Sequence, residues 1–205
     1  DGETWNNAFV VDRATGNIDF KGTITNNGNS LQSGNSGSII ALNQTVTIEN
    51  NTTEIEFTNL DINKKHIFEF YNICPNATNA DIFCQLSSNE TYISSYRYSS
   101  MYANVNNAGA YFGNANVSQI PLNASSVGGY YITQGISGKI DFYNFAITGI
   151  QYINFESATN IGGVNIFTYF GKSDCNLNGN KFDKIKFYLS NGTFKSGIIK
   201  HFILD

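Results

Sequence analysis

The sequence predicts an all-β protein, an antiparallel β-sandwich preceded by an extended N-terminal neck. Three observations predict this fold. From Ile39 onward, short apolar runs alternate with polar residues, which is the period-two pattern of β-strands. The chain is rich in Asn and holds 19 Gly against 2 Pro, so residues that tolerate the positive φ of tight turns are plentiful. The periodicity of an amphipathic helix is missing from the sequence.

The neck comprises residues 1–38, which contain too few apolar side chains to form a domain alone. Their apolar stretches, Phe9–Asp12 and Ile18–Thr25, precede a polar stretch, Asn26–Ser38. An extended segment of this kind persists when several copies wind around a rotation axis, and we therefore expect a homotrimer. Residues 39–205 are predicted to form a single head domain, since they are numerous enough to bury a sizeable core.

Within the head, four runs alternate most clearly, and each is predicted to be a strand with one buried face. After the last run, Asn191-Gly192 is the dipeptide that most strongly indicates a hairpin turn. The chain is expected to return from this turn as a paired strand over Phe194–Leu204. Asn27-Gly28 and Asn178-Gly179 mark two further predicted turns. The four runs are Ile55–Phe57, Phe68–Phe70, Lys139–Tyr143 and Ile185–Leu189.

Charge and hydropathy exclude two classes of partner. The net charge is −4 and the 12 Lys+Arg are spread thinly, so no basic stripe is available for nucleic acid. The longest apolar runs, such as Ile198–Leu204, are far shorter than the roughly 20 residues of a membrane helix, so no membrane insertion is expected.

The cysteines number three, and an odd count argues against a disulfide framework and favours folding in a reducing cytoplasm. Cys74 and Cys84 flank a predicted turn near Asn79, so a cross-strand bridge between them is geometrically possible. The alternative is a pair of small buried thiols.

One segment matches part of a catalytic motif. Gly34–Ser38 is similar to the nucleophile loop of trypsin-like proteases, but Asn35 stands where that loop has Asp. Neither His66 nor His201 has the flanking sequence expected of the catalytic base. A flexible linker explains the Gly and Ser residues better. Both histidines are expected to be satisfied strand residues rather than zinc ligands.

A second segment matches half of a metal site. Asp174, Asn176 and Asn178 have the spacing of the first half of a calcium loop, but the twelfth position is Ile185 instead of Glu. Nearby lysines add repulsion, so an Asn-Gly turn is the preferred interpretation and the calcium site the weaker one. We expect no metal, no cofactor and no catalytic residues.

A group of tyrosines with one arginine forms the candidate ligand-binding site. A Tyr ring offers an apolar face to the C–H surface of a sugar and a hydroxyl to its polar rim. Alternating tyrosines are equally typical of a strand that lines a core, and both interpretations stay open. Residues 104–113 and 127–131 are predicted to be long recognition loops. The candidate residues are Tyr92, Tyr96, Arg97, Tyr98, Tyr102, Tyr130 and Tyr131.

The closing segment resembles the C-terminal hairpin of head domains from tailed-bacteriophage fibres and virion proteins. That hairpin reads Ile-x-Phe-x-x-Ser-x-Gly-x-Phe-x-x-Gly-x-Ile-x-x-aromatic, and Ile203 departs from the Gly that often follows. Residues 68–75, 82–88 and 96–98 are similar to the family's first hairpin and aromatic strand, and residues 138–143 to its central strand. Residues 14–24 resemble shaft sequence. The matching positions of the closing segment are Ile185, Phe187, Ser190, Gly192, Phe194, Gly197, Ile199 and Phe202.

The resemblance covers about residues 66 to 205 and implies a jelly-roll head on a trimeric, virion-borne fibre without enzymatic activity. We therefore expect a receptor-binding module that is assembled in the host cytoplasm beside other virion proteins. It would attach noncovalently to a host-surface glycan or protein, with weak contacts multiplied by linked copies. The alternatives are a purely structural virion protein, for trimerisation or decoration, and a carbohydrate-active enzyme or its accessory module.

Overall fold

The chain divides into two compact units, residues 1–39 and residues 40–205. An extended neck over residues 1–38 stays a prediction. Gly34–Ser38, the segment similar to a protease loop, lies outside the described residues. The computed structural model describes residues 9–11, 18–20, 24–26, 29–31, 40–61, 63–77, 80–104, 107–123, 135–143, 150–161, 165–176 and 181–204.

The first unit contains two pairs of antiparallel strands. Strand β1 (Phe9–Val11) pairs with β2 (Ile18–Phe20), and β3 (Ile24–Asn26) pairs with β4 (Asn29–Leu31). Asn26 lies opposite Asn29. The strands on either side of Asn27-Gly28 therefore pair as the dipeptide predicts, although these two residues lie outside the described part of the chain.

The second unit consists of strands, and the described residues contain no helix. Its strands alternate in burial as the sequence predicts: in the run from Lys184 to Leu189 every second side chain is buried. In chain order they are β5 (Ile40–Ile48), β6 (Glu54–Phe57), β7 (Lys65–Pro75), β8 (Ile82–Ser88), β9 (Thr91–Tyr92), β10 (Tyr96–Asn104), β11 (Asn107–Val117), β12 (Ile120–Pro121), β13 (Ile136–Tyr143), β14 (Ile150–Ile161), β15 (Asn165–Asn176), β16 (Lys184–Leu189) and β17 (Phe194–Leu204).

These strands form two antiparallel sheets that pack face to face. The large sheet has the order β11-β10-β15-β14-β13-β7-β17-β5. The small sheet has the order β12-β8-β16-β6, with β9 paired to β8. The prediction of an all-β antiparallel sandwich is confirmed; its jelly-roll type stays a prediction.

Aromatic rings fill the space between the sheets. Phe57 and Phe187 of the small sheet meet Phe68 and Phe142 of the large sheet, and all four are fully buried. The ring centroids of Phe57 and Phe68 lie 5.1 Å apart in an edge-to-face arrangement, which is a favourable geometry for aromatic pairs. Large aromatic side chains from both sheets therefore interdigitate and close the sandwich.

The predicted C-terminal hairpin is wrong. Asn191-Gly192 does form a bend, with Gly192 at a φ of 74°. However, β16 belongs to the small sheet and β17 to the large one, where β17 pairs with β7 and β5. Each strand buries one face in the same core, so the turn carries the chain from one sheet across to the other instead of pairing its two flanks.

Another crossing between the sheets, from β7 to β8, separates Cys74 from Cys84. Cys74 lies in β7 of the large sheet and Cys84 in β8 of the small one, so they are not cross-strand neighbours. All three cysteines are free thiols, and Cys84 and Cys175 are buried. Burial raises the pKa of Cys175 to about 12. The buried-thiol interpretation therefore fits Cys84, while Cys74 is only half-buried.

Candidate functional site

The candidate site lies on the outer face of the large sheet, the face turned away from the small sheet. Tyr111 of β11, Met101 of β10 and Phe170 of β15 are directly opposite one another across three neighbouring strands. Side chains that are opposite in adjacent strands point to the same face and lie in contact distance. Tyr111 is 81% exposed and Phe170 45% exposed. The three residues form an apolar row that faces solvent.

Glycines explain why the ring of Tyr111 is so accessible. Gly113 follows Tyr111 by two residues, so the next position on the same face of β11 carries no side chain. The ring of Tyr111 is therefore not covered from the side of Gly113. A Cβ at Gly109 would overlap the carbonyl oxygen of Tyr102, so the absence of a side chain there is also required by close approach of the backbones.

A polar row runs beside the apolar one. Ser99 of β10, Lys172 of β15 and Asn154 of β14 are opposite one another, two residues along from the apolar row. The two rows line a shallow depression of about 500 Å³. We call this depression the outer groove and define it by Ser99, Met101, Tyr111, Asn154, Phe170 and Lys172.

A second depression adjoins the outer groove. It has a volume of about 230 Å³, and Thr168, Ala158 and Glu156 line it together with Phe170. Phe170 thus borders both depressions. Since a strand rises about 3.3 Å per residue, the surface from Lys172 to Thr168 along β15 extends for about 13 Å. This length suits an elongated ligand that lies along the strand.

Carboxylates around the outer groove are held by cations of the same face. Asp174 accepts two hydrogen bonds from Arg97, at 2.8 and 3.0 Å. Lys139 lies 3.2 Å from the carboxylate of Glu156. These ion pairs neutralise the acidic groups that border the groove and leave its polar row with hydroxyl, amide and ammonium groups.

Two of the tyrosines singled out by the sequence belong to the interior. Tyr96 is fully buried, and its hydroxyl accepts a hydrogen bond from the amide of Leu86 at 2.8 Å. Burial raises the pKa of Tyr96 far above its usual range. Tyr102 is half-buried and stacks on Phe112 with the ring centroids 5.5 Å apart. For Tyr96 the core interpretation holds, and ligand contact at this residue is wrong.

The other two described tyrosines lie apart from each other. Tyr98 is half-buried and lines a depression of about 370 Å³ together with Phe83, Asn114 and Gln119. Tyr92 lies on the small sheet, where the ammonium of Lys186 sits 4.0 Å from its ring centroid. The structure therefore does not bring the predicted group together as one site. Tyr130 and Tyr131 lie outside the described residues, as does the whole of the predicted loop 127–131.

The calcium interpretation fails at its first ligand. Asp174 lies inside strand β15 rather than in a loop, and Arg97 occupies both of its carboxylate oxygens. Arg97 itself is exposed, and its salt bridge with Asp174 raises its pKa. Asn176 ends the strand, while Asn178 lies outside the described residues. Among the residues that the structure describes, no group of three or more His, Cys, Asp or Glu side chains has an arrangement that could hold a metal ion.

The histidines form a buried pair between β7 and β17. The Nε2–H group of His66 donates to the carbonyl oxygen of Asp61 at 2.7 Å, and its Nδ1 lies 2.9 Å from Nε2 of His201. The amide of Asn43 lies 3.1 Å from Nδ1 of His201. With both rings neutral, every ring nitrogen has a partner. The prediction of satisfied strand histidines is confirmed.

Sequence reasoning missed the residues of the outer groove. Residues 104–113 were expected to be a loop, which is wrong: β10 ends at Asn104 and β11 begins at Asn107. Tyr111 therefore belongs to a strand. A usable pattern existed at Phe170, because Phe167 and Tyr169 are two apart and share a face, so Phe170 must point to the other one. Phe167 and Tyr169 are buried, and Phe170 is accordingly exposed.

Neither the sequence nor the fold identifies a relative. No protein-family model matches the chain, and no curated protein or solved structure matches it. Within the described residues, no helix is long and apolar enough to cross a membrane. What the protein does is therefore inferred from the outer groove and from the resemblance of its closing segment.

Proposed function

We propose that this protein binds a glycan noncovalently in the outer groove. The single observation that supports the proposal best is the exposed ring of Tyr111, 81% accessible on a strand and opposite Met101 in the row that ends at Phe170. Large apolar side chains are normally covered, and a cluster of exposed ones on a soluble surface marks a binding surface. Strands hold these rings in place, so little conformational entropy is lost when a ligand binds.

The arrangement of the groove favours a sugar over other ligands. An apolar row of rings receives the C–H face of a pyranose, and the adjacent Ser99 and Asn154 receive its hydroxyl groups. The depression of about 500 Å³ is within the range of small-ligand sites. A glycan therefore matches both the chemistry and the size of the surface.

In the same proposal the chain is a bacteriophage fibre head, of jelly-roll type, that attaches a virion to a glycan of the host surface. The resemblance of residues 185–202 to such heads is one of sequence pattern, since β16 and β17 lie in different sheets, and it supports this role. Individually weak sugar contacts suit a trimeric fibre, because linking several copies raises the overall affinity without any new contact. Other virion proteins would be its structural neighbours.

Exposed apolar side chains on an edge strand support the homotrimer. Ile40 and Leu42 of β5 are 58% and 56% exposed, and β5 is the edge of the large sheet opposite to β11. An edge strand with exposed apolar residues is a surface on which another chain pairs. An interface at β5 leaves the outer groove accessible at the other edge. The same edge is the observation that favours the alternative of a purely structural, trimer-forming virion protein.

A glycan array tests the binding proposal with two variants and a matched control. Tyr111→Ala and Phe170→Ala each remove one exposed ring and are expected to weaken binding about tenfold, since a ring contact is worth about 0.5–1.5 kcal/mol. Tyr71→Ala removes an exposed ring from β7, three strands away from β15 on the same sheet, and is expected to bind like the wild type.

Thermal melting of each variant establishes that it is folded. An array of neutral and anionic bacterial oligosaccharides to which the wild type does not bind would overturn the proposal. Folded Tyr111→Ala and Phe170→Ala variants that retain wild-type binding would place the ligand elsewhere, and Tyr98→Ala would then test the depression beside Phe83.

A further inference from the structure

We infer that the glycan of the outer groove is anionic and that its acidic substituent binds the ammonium group of Lys172. This inference rests on the proposed function, and it adds the chemical class of the ligand. The substituent is a carboxylate or a phosphate, because an ammonium is a compact positive charge that binds either anion.

The position of Lys172 makes it the charged group of the groove. It is an exposed residue of β15, two residues from Phe170 and on the same face. Across the neighbouring strands it is flanked by Ser99 on one side and Asn154 on the other. A sugar that covers the ring of Phe170 therefore places its next substituent beside the ammonium, with a hydroxyl and an amide on either side as further donors.

The described carboxylates beside the outer groove are each bound by another cation. Asp174, the next carboxylate along β15, is bound by Arg97 through two hydrogen bonds. Asp141, which lies opposite Asn154, is 2.8 Å from the ammonium of Lys65. Glu156 is bound by Lys139, as described above. In the part of the chain that the structure describes, no carboxylate lies within ion-pair distance of Lys172.

This pattern of charges favours an anionic ligand in the outer groove. The acidic residues next to the groove are already neutralised, so they neither attract a cationic ligand nor satisfy Lys172. The chain as a whole carries a net charge of −4 and so disfavours anions in general, whereas the ammonium of Lys172 attracts an acidic group beside the exposed ring of Phe170. An anionic glycan that stacks on Phe170 is the occupant that pairs this charge.

The test uses the full chain on an array with neutral, carboxylate-bearing and phosphate-bearing oligosaccharides, followed by titration of the best binder. Lys172→Gln is expected to lower affinity for the anionic glycan about tenfold while Tyr111→Ala lowers it as well. Lys195→Gln is the matched control, because Lys195 is an exposed lysine of β17, four strands across the large sheet from β15. It is expected to bind like the wild type.

Raising the salt concentration from about 0.05 to 0.5 M is expected to weaken binding of the wild type several-fold and of Lys172→Gln much less, since salt screens an exposed ion pair. Preference of the wild type for neutral glycans, or wild-type affinity of Lys172→Gln for the anionic glycan, would overturn this inference. Loss of binding in Tyr111→Ala and Phe170→Ala would still support glycan binding in that case. Binding to no oligosaccharide would overturn both. Carboxylate-bearing and phosphate-bearing hits identify which substituent the site takes.

Discussion

At the scale of single residues, the floor of the outer groove depends on one glycine. Gly171 lies between Phe170 and Lys172 in β15, with its missing side chain on the inner face. Phe155 is opposite Gly171 on β14, and its buried ring occupies the space where a Cβ of Gly171 would stand. A ring that covers a cross-strand glycine replaces the packing that the glycine lacks.

Replacement of this glycine should therefore destabilise the fold through overpacking. Gly171→Ala is expected to lower the free energy of unfolding by about 1–3 kcal/mol, because the ring of Phe155 must move. Phe155→Ala alone is expected to cost about 3–5 kcal/mol. In the double variant the new methyl group occupies space that the ring has left, so its cost should be smaller than the sum of the two. Urea denaturation of the four proteins measures this coupling, and strict additivity would contradict the contact.

At the residue scale the sequence indicated a type of side chain but not its position, and a ligand-binding role for tyrosine stays a prediction. It pointed to tyrosine as the ligand-binding side chain, yet Tyr96 is in the core and Tyr111 is on the surface. Alternation shows which residues share a face but not which face meets the other sheet, and that depends on packing between strands far apart in sequence. The sequence shows that Phe170 points to the opposite face from Tyr169. It does not show that Met101 and Asn154 are the neighbours of Phe170 in the sheet.

At the scale of secondary-structure elements, β7 and β17 share a buried pair of histidines. His66 and His201 meet edge to edge with ring centroids 5.1 Å apart, and Phe68 stacks on His201 at 4.4 Å. Two effects of Asp61 favour protonation of His66, namely the hydrogen bond to its carbonyl oxygen and the negative charge of its carboxylate. Desolvation outweighs both effects and lowers the pKa of His66. Burial and the neighbouring His66 lower the pKa of His201 to about 4.

The pair should make stability depend on pH in acid. Both pKa values are lower in the folded protein than the usual 6.5, so between pH 6.5 and about 4 the unfolded chain binds more protons than the folded one. Stability is therefore full above pH 6.5 and falls as the pH falls through this window. For His201 we expect a loss of roughly 2 kcal/mol between pH 7 and 4.5.

His201→Gln keeps a polar group beside His66 but does not titrate. The difference in unfolding free energy between pH 7 and 4.5, measured with urea, should be smaller in this variant than in the wild type. The carboxylates that titrate in the same range are common to both proteins, so they cancel in the comparison. Equal pH dependence in the two proteins would contradict a neutral buried pair.

The strands themselves were largely predictable, and their partners were not. Runs such as Ile55–Phe57 and Ile185–Leu189 lie in strands because alternation is a local property. Asn191-Gly192 also bends the chain where expected. Whether β17 pairs with β16 or with β7 is decided by the core that both faces bury, which involves residues more than 100 positions apart, such as His66 and His201.

At the scale of the whole molecule, the large sheet presents two different edges. Strand β11 lies at one edge next to the outer groove, and β5 lies at the other with Ile40 and Leu42 exposed. Binding and assembly are thus proposed at opposite edges of one sheet. The length and composition of the chain predicted a sandwich of this size, but they contain no information on which edge of the sheet lies near a ligand and which forms an interface.

The assembly part of this account predicts a trimer that depends on β5. The full chain is expected to have the mass of a homotrimer in light scattering, and the double variant Ile40→Ser with Leu42→Ser is expected to shift towards the monomer, because the apolar contact is lost. Ile198→Ser, which alters another exposed apolar residue of the large sheet, is the matched control. A wild-type monomer at micromolar concentration would contradict this prediction.

The central claim is that the outer face of the large sheet, at Tyr111 and Phe170, is where this protein holds its glycan. A crystal structure of the chain with the oligosaccharide that binds best on the array tests it most directly. We predict a pyranose ring over Phe170 with an acidic substituent within hydrogen-bond distance of the Lys172 ammonium. A sugar seated beside Tyr98 and Phe83, or anywhere else with the outer groove unoccupied, would contradict the claim.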